Sequence, residues 1–163
     1  MGCSFTNLER VQCLMSTKST SDYSTSRSTG DKLDIADASG CLSYINTNYH
    51  DDDKPVMQIA VDCYVYNRDR ARLHSHLVQL ATAAYKTPKM SQKYANKMAQ
   101  IVCDEIMGKS KNDTEKAKAL DVDKSVYSRC HALVFDAVFS EIFEPISKAD
   151  NLAGQYWREC KLT

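Results

Sequence analysis

Apolar residues recur at helical spacing over most of the chain after residue 67, and this pattern strongly limits the possible folds. A first helix is predicted over 68–85, with an inward face made of Leu73, Leu77, Leu80, Ala81 and Ala84. A second is predicted over 91–107, ending at Gly108, with an inward face made of Tyr94, Met98, Ile101, Val102 and Ile106. The chain is therefore expected to be mainly α.

Two further helices are predicted after a charged connection over 109–118. The segment 124–143 is apolar nearly all round, which predicts a central, buried helix. Pro145 is predicted to end that helix, because proline lacks a backbone N–H and clashes with the preceding turn. A fourth helix is predicted over 147–160. The expected architecture is thus a small domain of about four helices.

The segments 41–47 and 56–66 are compatible with either a strand or a helix. The second alternates apolar and polar residues and is rich in Val, Ile and Tyr, which favours a strand. Asp53-Lys54-Pro55 is, however, also an acceptable helix start. We expect a short β-hairpin at the N-terminal side of the helices, with the acidic residues 51–53 in its connection. An α+β fold is the alternative.

A serine- and threonine-rich segment precedes these elements. Ten of the fourteen residues over 16–29 are Ser or Thr, so the segment has little apolar surface to offset the entropy of ordering. We expect it to be disordered. The predicted organisation is a disordered tether over 1–31, joined to a helical domain over 32–163.

The first six residues, Met1-Gly2-Cys3-Ser4-Phe5-Thr6, match the pattern for N-myristoylation. Removal of the methionine exposes Gly2 as the acceptor, and Thr6 stands where the pattern requires Ser or Thr. A cysteine next to the acceptor glycine is typical of a second, thioester-linked palmitoyl chain. The sequence therefore predicts two lipid attachment sites, Gly2 and Cys3.

The energetics of membrane binding assign the larger role to Cys3. One myristoyl chain gives only marginal binding, with an association constant of about 10⁴ per molar. The first thirty residues carry three basic and two acidic residues, a net charge of one, and each basic residue contributes only about 1 kcal/mol. A palmitoyl chain contributes about 0.8 kcal/mol per buried methylene, on the order of 10 kcal/mol in full. Cys13 is a candidate for a third chain.

Composition narrows the location and the partners. The chain has 21 basic and 21 acidic residues, so a nucleic-acid binder is not expected. Its seven cysteines include no C-x-x-C pair, and the sequence shows neither a secretory signal nor an apolar run near 18 residues. Unpaired thiols of this kind are typical of the reducing cytosol. We expect the protein on the cytoplasmic face of the plasma membrane or an endomembrane.

Motifs for phosphate and metal binding are incomplete. The Gly-Lys-Ser run at 108–110 resembles the end of a phosphate-binding loop, but Cys103 replaces the first glycine. The segment 121–132 starts like a calcium loop and lacks both its glycine and its terminal glutamate. His74 and His76 would point to opposite sides of a helix. We expect no metal ion and no cofactor.

The most consistent function is a lipid-anchored peripheral membrane adaptor that presents a helical surface to a protein partner. One alternative is a pathogen effector or viral accessory protein that uses host acylation to reach membranes. Another is a Cys-His hydrolase with Cys41 as nucleophile, although no spacing selects its histidine and we assign no catalytic residue. Tyr156 and Trp157 are expected to be core residues, or a partner contact if their helix is exposed.

Overall fold

The computed structural model describes residues 5–16 and 35–160. Within these ranges the chain forms eight α-helices and no strands, which confirms the mainly α fold. The helices are α1 (Thr6–Ser16), α2 (Ile35–Asn48), α3 (Lys54–Tyr66), α4 (Arg70–Ala84), α5 (Pro88–Ile106), α6 (Asp113–Leu120), α7 (Lys124–Cys130) and α8 (Ala132–Glu159).

The expected β-hairpin is wrong. Residues 41–47 lie in α2 and residues 56–66 lie in α3, so the acidic segment 51–53 joins two helices. Proline is tolerated in the first turn of α3 because the N–H that it lacks would have no intrahelical partner there. The buried positions of α3 include Met57, Ala60, Val61 and Tyr64. Their spacing of three, one and three residues places them on one helical face, which a strand would split between two faces.

The number of helices also differs from the expected four. The predicted helices over 68–85 and 91–107 are confirmed as α4 and α5. The charged connection over 109–118 overlaps α6, which begins with a capping box. Glu115 donates its backbone N–H to Asn112 Oδ1 at 2.9 Å, and Asn112 donates its own to Glu115 Oε1 at 2.9 Å.

The predicted break at Pro145 is wrong as well. The segment 124–143 is interrupted at His131, between α7 and α8, and α8 then continues through Pro145 to Glu159. The predicted third and fourth helices are therefore largely one helix. Burial all round is not observed either, since Leu133 is 76% exposed and Phe143 is 37% exposed.

The described residues group into two compact units, each with its own buried side chains. The middle unit contains residues 69–144, with α4 to α7 and the first part of α8. The terminal unit contains residues 5–16, 35–68 and 145–160, with α1 to α3 and the rest of α8. No helix in the described part of the chain has the length and apolar character needed to cross a bilayer.

Candidate functional site

The N-terminal helix α1 belongs to the core of the terminal unit. It packs on α2 and α3 and buries Phe5, Leu8, Val11 and Met15, which recur at helical spacing. The ring of Phe5 meets the ring of Tyr64 edge to face, with 5.6 Å between centroids. Residues 5–16 are thus folded, whereas the sequence placed them in a disordered tether. Residues 1–4 and 17–34, with the predicted boundary at residue 31, lie outside the described residues.

The first turn of α1 is capped by a carboxylate from α8. Asp150 Oδ1 accepts hydrogen bonds from the backbone N–H groups of Asn7 and Leu8, both at 3.0 Å. Its Oδ2 accepts a third from the side-chain amide of Asn7 at 3.2 Å. The first N–H groups of a helix have no intrahelical partner and carry a partial positive charge. Asp150 therefore supplies the cap that α1 needs.

Trp157 lies beneath the same turn of α1. Its side chain has no exposed surface, and its indole N–H donates a hydrogen bond to the backbone oxygen of Asn7 at 3.2 Å. The guanidinium of Arg10 stands 5.4 Å from its ring centroid. The neighbouring Tyr156 is half-buried. Trp157 is therefore a core residue in this structure, and a partner contact through Tyr156 and Trp157 stays a prediction.

The lipid attachment residues predicted from the sequence, Gly2 and Cys3, lie outside the described residues. Cys13 lies exposed on α1. The position of α1 matters for Gly2 and Cys3, because the chain enters a folded helix only a few residues after them.

The structure does not favour Cys41 as a nucleophile. Its side chain has no exposed surface, and burial raises the pKa of the thiol to about 12, with further upward contributions from Cys160 and Asp150. The thiol is therefore protonated at neutral pH and out of reach of a substrate. The described residues hold no group of three or more His, Cys, Asp or Glu side chains placed to bind a metal ion.

A cavity of about 420 Å³ opens in the middle unit, where the end of α4, the start of α5, the end of α7 and the first turns of α8 meet. Its size falls within the range of about 300–1,000 Å³ that is usual for ligand sites. We call it the groove. Its apolar lining consists of Ala84, Met90, Leu133, Val134 and Ala137. Two cations, Lys86 and Arg129, also line it, together with Tyr85, Thr87 and Cys130.

Tyr85 links the groove to a buried histidine. Its hydroxyl lies 2.8 Å from Nδ1 of His131, which is 1% exposed. The ring of Tyr94 meets the imidazole edge to face at 4.5 Å between centroids. Burial lowers the pKa of His131 and raises the pKa of Tyr85, so both groups are neutral near pH 7. Nε2 of His131 has no hydrogen-bond partner among the described residues, so protonating the ring would leave a buried, unpaired charge.

This histidine makes stability depend on pH. Between the lowered pKa of folded His131 and its ordinary value of about 6.5, the unfolded chain binds more protons than the folded chain. The contribution of neutral His131 to stability is therefore fully present above about pH 6.5, and it is lost as the pH falls through the lowered pKa of the folded state. We expect urea midpoints to decrease between pH 7.5 and pH 5.5, and to decrease less in His131→Phe.

The exposed His50 provides the control. His50→Gln should keep the pH dependence of the wild type. Burial also lowers the pKa of His76, so this residue should contribute to the pH dependence that remains in His131→Phe. If the urea midpoint of His131→Phe decreases between pH 7.5 and pH 5.5 as much as that of the wild type, this role of His131 is contradicted.

Comparison with known proteins gives no assignment. No protein family matches this chain, and no curated protein or solved structure is significantly similar to it. The fold defines the class, a small, mainly α protein whose described residues form two helical units.

Proposed function

We propose that this protein is a lipid-anchored peripheral membrane adaptor. A myristoyl group on Gly2 and a palmitoyl group on Cys3 hold it on the cytoplasmic face of a membrane, where it presents a helical surface to a protein partner. The observation that carries the proposal is the Met-Gly-Cys start with Thr6 at the required place. An effector or viral accessory protein would use the same anchor and differ in its origin.

The fold changes how such an anchor would act. Phe5 is buried in the terminal unit, and Gly2 precedes it by three residues, a reach of at most about 11 Å. Acyl chains on Gly2 and Cys3 would therefore hold the terminal unit directly against the bilayer. The serine- and threonine-rich segment connects α1 to α2 within that unit, so it would not separate the lipid from the fold.

The adaptor half of the proposal is supported by apolar side chains on α8. Leu133 is 76% exposed and Phe143 is 37% exposed in the middle unit. Phe143 ends an aromatic row, with 5.3 Å between its centroid and that of Phe139 and 5.7 Å from Phe139 to Phe135. A partner that covered these side chains would remove their apolar surface from water.

Fractionation of wild type and two variants from a eukaryotic cell tests the anchor. We expect the wild type in the membrane fraction. Gly2→Ala should be fully soluble, because the amide linkage requires an N-terminal glycine and the thioester follows membrane encounter. Cys3→Ser should be largely soluble, because one myristoyl chain binds only marginally.

The matched control is Cys160→Ser, which removes an exposed cysteine far from the N-terminus in sequence and outside the groove. It should fractionate like the wild type. A wild type found in the cytosol would contradict the proposal, as would a Cys3→Ser variant that stays on membranes as completely as the wild type.

A further inference from the structure

We propose that the groove of the middle unit binds a free fatty acid, a single hydrocarbon chain that ends in a carboxylate. The geometry combines an apolar lining with two cations in one cavity. The inference does not depend on acylation of Gly2, because it rests on residues of the middle unit alone.

The apolar part of the groove suits one hydrocarbon chain. Met90, Val134 and Ala137 contribute side chains from α5 and α8, and Leu133 is 76% exposed beside them. An exposed leucine in a concave apolar site gains from being covered by a ligand. The volume of about 420 Å³ lies in the lower part of the usual range, which favours a ligand with one chain over a phospholipid with two.

The charged residues of the lining specify the polar group of the ligand. Lys86 and Arg129 both line the cavity, and no acidic side chain among the described residues does. Arg129 donates its Nε–H to the backbone oxygen of Ser125 at 3.4 Å, one turn earlier in its own helix. Neither cation forms an ion pair with a carboxylate in the described part of the chain. Two unmatched cations beside an apolar lining complement an amphipathic anion.

The same charges distinguish between sources of a fatty chain. A free fatty acid retains its carboxylate, whereas a chain joined to Gly2 by an amide or to a cysteine by a thioester has lost it. Binding that depends on Lys86 and Arg129 therefore identifies the free acid.

Cys130 offers a site-specific measurement because it lines the groove and is exposed. The full-length, unacylated protein would be treated with limiting iodoacetamide, with and without decanoate, and modified cysteines quantified by peptide mass spectrometry. At a decanoate concentration about four times its dissociation constant, alkylation of Cys130 should slow about fivefold. Cys13 and Cys160, which are also exposed, should react at unchanged rates and serve as internal controls.

Ligand chemistry provides the second comparison. Decanol has the same chain length as decanoate and lacks its charge, so it should protect Cys130 about tenfold more weakly. The double variant Lys86→Gln/Arg129→Gln should weaken protection by decanoate about tenfold and leave protection by decanol unchanged. Lys97→Gln/Lys118→Gln makes the same charge change at two exposed positions away from the groove and should behave like the wild type.

Filling the cavity provides the third comparison. Ala137 is exposed, so the Ala137→Trp variant should fold. Because Ala137 lines the groove, the indole should fill it, and decanoate should no longer slow the alkylation of Cys130. Ala71→Trp, at an exposed position of α4 outside the groove, is its control. Circular dichroism would establish that each variant is folded. If Ala137→Trp is not folded, the result for Lys86→Gln/Arg129→Gln decides whether the inference holds.

Three results would overturn the inference. The first is equal protection of Cys130, Cys13 and Cys160, or none at all. The second is equal protection by decanol and decanoate. The third is protection of Cys130 without added ligand in protein from eukaryotic cells, lost in Gly2→Ala, which would identify the chain's own acyl group as the occupant. Absence of acylation at Gly2 would refute the proposed function, but it would leave the inference of fatty-acid binding in the groove unaffected.

Discussion

Replacing Trp157 with alanine is expected to lower the free energy of unfolding of the terminal unit by about 3–5 kcal/mol. Trp157 is completely buried, so truncation removes a large apolar contact and leaves a cavity. It also removes the hydrogen bond that the indole N–H donates to the backbone oxygen of Asn7. Urea denaturation followed by circular dichroism measures the loss. Hydrogen exchange of the α1 amides reports the terminal unit by itself.

Two further variants test how much of this loss of stability comes from the hydrogen bond and whether it is specific to Trp157. Trp157→Phe keeps most of the apolar contact and removes the hydrogen bond, so it should cost about 1–2 kcal/mol. Phe143→Ala truncates a partly exposed aromatic residue of the same helix, and it should cost about 1 kcal/mol. A Trp157→Ala variant within about 1 kcal/mol of the wild type would show that α1 is not seated on this side chain.

Replacing Asp150 with alanine should have the next largest effect, about 2–3 kcal/mol. The substitution removes three hydrogen bonds from the first turn of α1, two of them to backbone N–H groups. It also removes a negative charge from the positive end of the helix. The amides of Asn7 and Leu8 should lose protection from hydrogen exchange before the rest of the terminal unit.

Asp150→Asn is the informative partner of this variant. Asparagine keeps one side-chain oxygen, which is enough to accept from both backbone N–H groups, so the cost should fall to about 1 kcal/mol. Asp136→Ala removes an exposed aspartate from the same helix and should change stability by less than about 0.5 kcal/mol. If all three variants are equally stable, the carboxylate does not cap α1.

The sequence predicts a helix well where the spacing of its apolar residues agrees with the residues that mark its two ends. Along α5 the five predicted inward residues are all buried, and the helix begins after Thr87, whose side chain accepts from Met90 N–H at 3.2 Å. It ends before Gly108, whose φ of 86° suits a residue without a side chain. In α5 the local sequence and the packing of the core both favour a helix with the same ends, so the sequence pattern is sufficient to predict it.

The errors have separate physical causes. Val, Ile and Tyr raise strand propensity in α3, but burial on one helical face overrides it. Pro145 lies inside α8 because Ile142 and Ile146 are both fully buried on either side of it, so packing offsets the lost hydrogen bond. The break at His131 lacks the glycine or proline that would have indicated it.

Two elements were missed although the sequence signals them. Asn112 and Glu115 form a capping box with the usual spacing, which indicates the start of α6. Phe5, Leu8, Val11 and Met15 form a helical stripe in front of the serine- and threonine-rich segment, and the composition of that segment obscured it. The groove could not be predicted, because it is formed by residues from four helices.

Intact mass spectrometry of the wild-type protein, purified from a eukaryotic cell, tests the proposed lipid anchor. We expect a polypeptide without Met1 that carries one myristoyl and one palmitoyl group. Neutral hydroxylamine should remove the palmitoyl group, a thioester on Cys3, and leave the amide-linked myristoyl group on Gly2. A protein that retains Met1, or that carries no fatty acyl mass, would contradict acylation at Gly2 and Cys3.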